Sequence, residues 1–181
     1  MEPRSSPVTS HAVCLGANTF YYPEGGGHFW VYLNWALGLK ARGCRVIWLE
    51  MVDAGKAGAE NEALVAALKA RLQPYGFVND LALCSSDGGA LDAEATAGCI
   101  DFEQACQADL LLNMAYEIPA RVVARFKRSA LLDIDPGLSQ VWMSAGTMRP
   151  APHDIYFTIG ETVGQSSTRI PDVGVRWHYT P

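Results

Sequence analysis

Short apolar runs alternate with helix-like segments along almost the whole chain, and this alternation is what most limits the folds open to it. The runs are His11–Gly16, Arg45–Glu50, Leu81–Cys84, Asp109–Asn113, Ala130–Asp133 and Asp154–Ile159. Each is too short for a stable helix, and continuous apolarity over such a length suits a strand covered on both faces. Between them, His28 to Arg42 is apolar at nearly every position; Lys40 and Arg42 sit where cations favour a helix end, and Gly43 stops it. A second helix is expected from Asn61 as N-cap, with Leu64, Leu68 and Leu72 on one face and Pro74-Tyr75-Gly76 closing it. Further helices are expected at Asp101–Gln107, from Pro119 in the first helical position through Phe126, and after Asp135 and Pro136 as N-cap and first residue. A Gly/Ser-rich loop after the last run leads to Gly174–Trp177. Strand and helix in alternation require crossover connections, which predicts an α/β, Rossmann-like doubly wound fold: a mainly parallel sheet with helices on both faces.

A chain of 181 residues suits one domain with a sizeable core, here residues 11–181, after a loose leader over 1–10 that carries Pro3, Ser5, Ser6 and Pro7 and no signal-peptide core. A net charge of -5 without any dense Lys/Arg block argues against nucleic acid as partner. The most apolar stretch, His28–Leu39, falls short of the roughly 20 residues a transmembrane helix needs, so a cytoplasmic protein is expected. Cys14, Cys44, Cys84, Cys99 and Cys106 are odd in number and lack C-x-x-C spacing, so they read as reduced, core-filling thiols with no metal site.

In open parallel sheets ligands bind at the carboxyl ends of the strands, where loops and helix N-termini gather. Polar residues there are the candidates: Asn18 and the Gly25-Gly26-Gly27 turn, Glu50 and Asp53, Asn113, Tyr116 and Glu117, Asp133 and Asp135, and Glu161. Three consecutive glycines are costly unless the backbone takes unusual angles or is approached closely. Ahead of a helix they expose backbone N–H groups suited to an anion. Asp135 also reads as a helix cap, Asp133 and Glu50 as solvated strand ends, and His153 and His178 as surface histidines.

Read together, Tyr22-Pro-Glu-Gly-Gly-Gly-His28 and the segment Ala41 to Glu50 resemble the opening βαβ unit of GT-B glycosyltransferases (family 1 and family 4-like), and Ile170-Pro171-Asp172-Val173-Gly174-Val175 faintly resembles their interdomain segment. Retaining enzymes of this fold bring the Gly-Gly turn to the donor diphosphate; inverting ones use a histidine after the glycines as general base. Both versions stay open. The resemblance implies a nucleotide-sugar co-substrate (UDP-, GDP- or dTDP-sugar), no covalently bound cofactor, and a small-molecule or glycan acceptor. It assigns His28 as catalytic, with Asn113 or Glu117 in the place of the acid that orients it, Gly25, Gly26 and Gly27 to donor phosphate, and Asn18, Tyr116, Asp135 and Glu161 to the acceptor. Asn113 departs from the aspartate common at that place. This half would need a C-terminal donor domain, in cis or in trans, absent from these residues. The rivals are a non-catalytic binding or regulatory partner, a split-enzyme subunit, and an epimerase or phosphorylase of the same fold. A nicotinamide-dependent oxidoreductase is disfavoured by the missing G-x-G-x-x-G.

Overall fold

The computed structural model describes residues 11–22, 26–53, 58–89, 91, 93 and 96–181; the expected leader at 1–10 and Gly25 lie outside them. The apolar runs form strands β1 (Ala12–Ala17), β2 (Arg45–Val52), β3 (Leu81–Ser85), β4 (Leu110–Asn113), β5 (Ser129–Asp133) and β6 (Ile155–Thr158), and Trp177–Tyr179 adds β7. All join one 7-stranded sheet in the order β3-β2-β1-β4-β5-β6-β7. Every neighbouring pair is parallel. The helices are α1 (Gly26–Ala41), α2 (Gly58–Leu72), continued by a 3-10 turn at Gln73–Tyr75, then α3 (Phe102–Ala105), α4 (Ala120–Val123) and α5 (Leu138–Ser144).

Alternation along each strand divides the core into two layers. Val13, Leu15, Val46 and Trp48 point toward Phe29, Tyr32 and Leu33 of α1 and Leu68 and Leu72 of α2. Cys14, Ile47, Leu49 and Leu111 point the other way, toward Ala105 of α3 and Val122 and Val123 of α4. Further along that second face, Leu131 packs with Trp177 and with Met143 of α5. The fold is therefore doubly wound and Rossmann-like, as the alternation predicts. Each fully buried large apolar side chain contributes about 1.5–3 kcal/mol. Because β1 is followed outward by β2 and β3 on one side and by β4 to β7 on the other, the order reverses between β1 and β4.

Helix α1 ends as expected at Gly43, whose φ of 84° suits glycine. The Gly43 and Cys44 N–H groups donate to the carbonyls of Lys40 (2.9 Å) and Leu39 (3.1 Å), closing the last turn in a Schellman motif. Three helix starts differ from expectation. Asn61 lies inside α2 and is buried, because the helix begins at Gly58. Pro119 is the N-cap of α4, in extended conformation, and not its first residue. The N-cap of α5 is Gly137, not Asp135. Asp135 is engaged otherwise: its N–H donates to Asp133 Oδ1 (3.1 Å) and its carbonyl accepts from Ser139 N–H (3.1 Å). The chain then turns at Gly137, with φ of 91°, and the Gly137 N–H donates to Gln140 Oε1 at 2.6 Å.

Candidate functional site

At the reversal point a cleft of about 560 Å³ opens over the carboxyl ends of the central strands. Asn18 follows β1, Tyr116 and Glu117 follow β4, and Asp135 follows β5; all four line it, together with His28 of α1. The fold thus gathers five of the residues singled out from the sequence around one opening.

Helical spacing puts His28 and Tyr32 one turn apart on the same face of α1. The exposed imidazole Nε2 lies 3.1 Å from the hydroxyl of buried Tyr32. Burial raises the pKa of that phenol first, and the charges of Glu50, Asp135 and Glu117 raise it further, while the Asn18 main chain opposes them with a hydrogen bond. The phenol therefore keeps its proton and shares one hydrogen bond with Nε2, in a direction set by the imidazole tautomer. Among the described residues no carboxylate is hydrogen-bonded to the His28 ring. Glu117 and Asp135 are exposed, and their carboxylates make no hydrogen bond or ion pair among the described residues.

Gly26 and Gly27 open α1 and are exposed. Neither has a positive φ, and a Cβ added to either would meet no heavy atom within 4 Å. Nothing inside the described fold requires glycine at these two positions.

Of the assigned site residues, Gly26, Gly27, Asn113 and Glu161 do not line the cleft. Asn113 is fully buried and points to the face opposite α1. Its Nδ2 lies 3.2 Å from His153 Nε2, and its Oδ1 accepts from the Ala115 N–H at 2.9 Å. It shares no contact with His28. Glu161 is exposed beyond β6 and does not line the cleft. His153, expected at the surface, is half-buried: its Nδ1 donates to the Ala151 carbonyl at 2.7 Å, and burial lowers its pKa.

The two carboxylates expected to be solvated are both buried. Glu50 is 1% exposed and accepts from Thr19 N–H (2.9 Å), Phe20 N–H (3.2 Å) and Trp48 Nε1–H (2.9 Å), and from the Thr19 hydroxyl. Its pKa is raised, burial outweighing these bonds. It is committed to Thr19 and Phe20 of the loop after β1 and to Trp48 of β2. Asp133 is wholly buried and accepts from Tyr116 Oη (2.9 Å), Ser139 Oγ (2.6 Å), Gln140 Nε2 (2.7 Å) and Thr158 Oγ1 (2.7 Å).

Sequence reasoning missed Tyr32, Trp142 and Arg149, which also line the cleft. Gly146, with φ of 73°, was the one available signal for the last two. It turns the chain at the end of α5 so that Thr147 N–H (3.0 Å) and Met148 N–H (3.2 Å) donate to the Trp142 carbonyl, and Arg149 follows at the rim.

A second cavity, of about 400 Å³, opens beside β3 and α3 and holds none of the expected site residues. Among the described residues no three His, Cys, Asp or Glu side chains are grouped to hold a metal ion, and no helix is long and apolar enough to cross a membrane. Comparison with protein-family models, with curated proteins and with solved structures finds no match.

Proposed function

We propose that this chain is the acceptor-side half of a glycosyltransferase of GT-B type, transferring a sugar from a nucleotide-sugar together with a donor-binding domain in cis or in trans. The observation that carries the reading is His28, exposed at the first turn of α1 and lining the reversal-point cleft with its Nε2 3.1 Å from the Tyr32 hydroxyl. An acceptor hydroxyl that takes the place of the phenol meets a base able to remove its proton as the bond to the sugar carbon forms. Glu117 and Asp135, unpaired in the same cleft, are available to accept hydrogen bonds from other hydroxyls of the acceptor. Gly26 and Gly27 keep the start of a 16-residue helix open to close approach by the donor diphosphate, whose charge is favoured there by the N–H groups and the helix dipole.

The test is incubation of the protein from its complete reading frame with UDP-, GDP- and dTDP-sugars and a panel of hydroxylated acceptors. Transfer is expected, and His28→Ala should lower kcat by about a hundredfold to ten-thousandfold, with unchanged melting because the ring is exposed. Neither transfer nor donor hydrolysis with any donor would refute the reading. One observation favours a second reading, a non-catalytic binding module: no carboxylate orients the imidazole among the described residues. In that case ligand binding persists in His28→Ala and no turnover is found in either protein.

A further inference from the structure

We propose that the cleft selects a hydroxylated ring carrying an oxyanion, carboxylate or phosphate, with Arg149 holding the anion and Trp142 covering the ring; calling this ligand the acceptor rests on the transferase reading. The guanidinium is the first ground. Arg149 is exposed, lines the cleft, and makes no ion pair or hydrogen bond among the described residues, although Glu117 and Asp135 line the same opening. The side chains of Arg42, Arg128, Arg169 and Arg176 are likewise without such partners among the described residues, but of these five arginines Arg149 alone lines the cleft. A cation that shares a cleft with two carboxylates and pairs with neither is available to a ligand. Its planar fork matches a carboxylate or a phosphate through two parallel hydrogen bonds.

Placement is the second ground. The Trp142 carbonyl accepts from Thr147 N–H, Met148 N–H and Thr147 Oγ1 (3.1 Å), which fixes the loop that carries Arg149 against the end of α5. The guanidinium lies over Gly146: a Cβ built there would be 3.5 Å from Nη2. The guanidinium that lines the cleft is thus carried by a loop tied to the end of α5.

Trp142 is the third. Helix α5 buries its polar residues Ser139 and Gln140, so Leu138, Val141 and Trp142 face outward. Of these only Trp142 lines the cleft; its side chain is 43% exposed, and no ring or cation stacks on it among the described residues. An indole face open in the cleft suits the C–H face of a sugar-like ring whose hydroxyls point to Glu117 and Asp135. The same two carboxylates repel an anion elsewhere in the cleft, so its place is at Arg149.

Calorimetric titration of the full chain with glucuronic acid, glucose 6-phosphate and glucose tests this, the two acids separating carboxylate from phosphate. The favoured acid should bind about tenfold or more tighter than glucose at low salt, the advantage shrinking as salt is added. Arg149→Gln should abolish that advantage and leave glucose unchanged, Arg149→Lys should keep part of it, and Trp142→Ala should weaken all three. Both side chains are exposed, so melting should be unaltered. Equal binding of acid and neutral sugars, no effect of Arg149→Gln, or no binding by any probe overturns the inference. Acid binding that depends on Arg149 in a protein without transfer overturns the transferase reading alone. Transfer in which acidic acceptors have no advantage over neutral ones, in the parent and in Arg149→Gln alike, overturns this inference alone.

Discussion

Removing the Asp133 carboxylate should release α5 and dismantle one wall of the cleft. The helix is seven residues long, and Leu138, Val141 and Trp142 on it are exposed while Ser139 and Gln140 are buried, so its docking on the sheet depends strongly on polar contacts. Those contacts converge on Asp133. In Asp133→Ala, Ser139 Oγ keeps an acceptor in the Asp135 carbonyl at 3.0 Å. Tyr116 Oη, Gln140 Nε2, Thr158 Oγ1 and the Asp135 N–H lose theirs, and Gln140 and Thr158 are residues without solvent exposure. An orphaned buried donor costs about 1–3 kcal/mol. Relief of a buried charge and local relaxation offset part of the sum, leaving about 3–5 kcal/mol, the usual cost of breaking a buried charged network. With a urea dependence of about 2 kcal/mol per molar, the midpoint should fall by roughly 2 M. Urea denaturation gives the magnitude and hydrogen exchange gives the place: α5 amides should lose protection ahead of those of β1 and β4. Asp133→Asn, which keeps the shape and one acceptor, should cost less than half as much. A loss under about 1 kcal/mol with α5 as protected as before would refute the idea that this carboxylate holds the helix.

Glu50→Ala should cost a comparable amount, since Thr19 N–H, Phe20 N–H and Trp48 Nε1–H all lose their acceptor. Glu50→Gln separates charge from shape: with its folded-state pKa raised, Glu50 favours the fold fully below its unfolded pKa and loses that contribution as pH rises, so the variant should gain on the parent from pH 5 to 8. A constant difference across that range in paired urea titrations would contradict it. For His153 the sign is opposite: burial lowers its pKa, so protonation disfavours the fold and stability should decline as pH falls below about 6.5. His153→Gln should flatten that acid slope, and an unchanged slope would show that another group sets it. Burial pushes the thiols of Cys84 and Cys106 up to about 12 and about 11 and raises that of Cys14 well above the ordinary thiol range, so a thiol reagent should label the partly exposed Cys44 first. Labelling of Cys14, as fast as that of Cys44, in the native state would be inconsistent with this packing.

The parts of this fold that depend on local pattern were legible in the sequence. Apolar runs mark strands wherever the sheet is covered on both faces, and Gly43 marks the end of α1 because only its conformation lets the last carbonyls be capped. The gathering of Asn18, His28, Tyr116, Glu117 and Asp135 also follows from pattern, since strand ends and crossovers set it. What remained hidden depends on partners distant in the chain. A carboxylate at a strand end reads as solvated unless its donors are known, and those of Asp133 come from Tyr116, Ser139, Gln140 and Thr158. Asn113 looked like a neighbour of His28 from its strand alone; the alternation of side chains along β4 turns it to the other layer, where His153 meets it. Helix α5 reverses the usual amphipathic rule, so a pattern reading buries the wrong face.

The two buried carboxylates explain how a cleft built from loops keeps its shape. Glu50 stands on the face of the sheet that carries α1, and Asp133 on the face that carries α5. Glu50 fixes Thr19 and Phe20 just after Asn18, on the way into the glycine turn; Asp133 fixes Tyr116, which follows β4, and Ser139 and Gln140 of α5. Neither makes an ion pair with a Lys, Arg or His among the described residues, so each is stabilised only by the donors it holds, at a cost that apolar residues in the same places would avoid. Burying carboxylates in this way has a counterpart at the front of the cleft, where, among the described residues, Glu117, Asp135 and Arg149 remain unpaired and the His28 ring is hydrogen-bonded only to a phenol. Groups behind the loops are saturated and groups facing the opening are not. That division is what a preorganised site requires, because side chains that meet a ligand must be held without being satisfied beforehand.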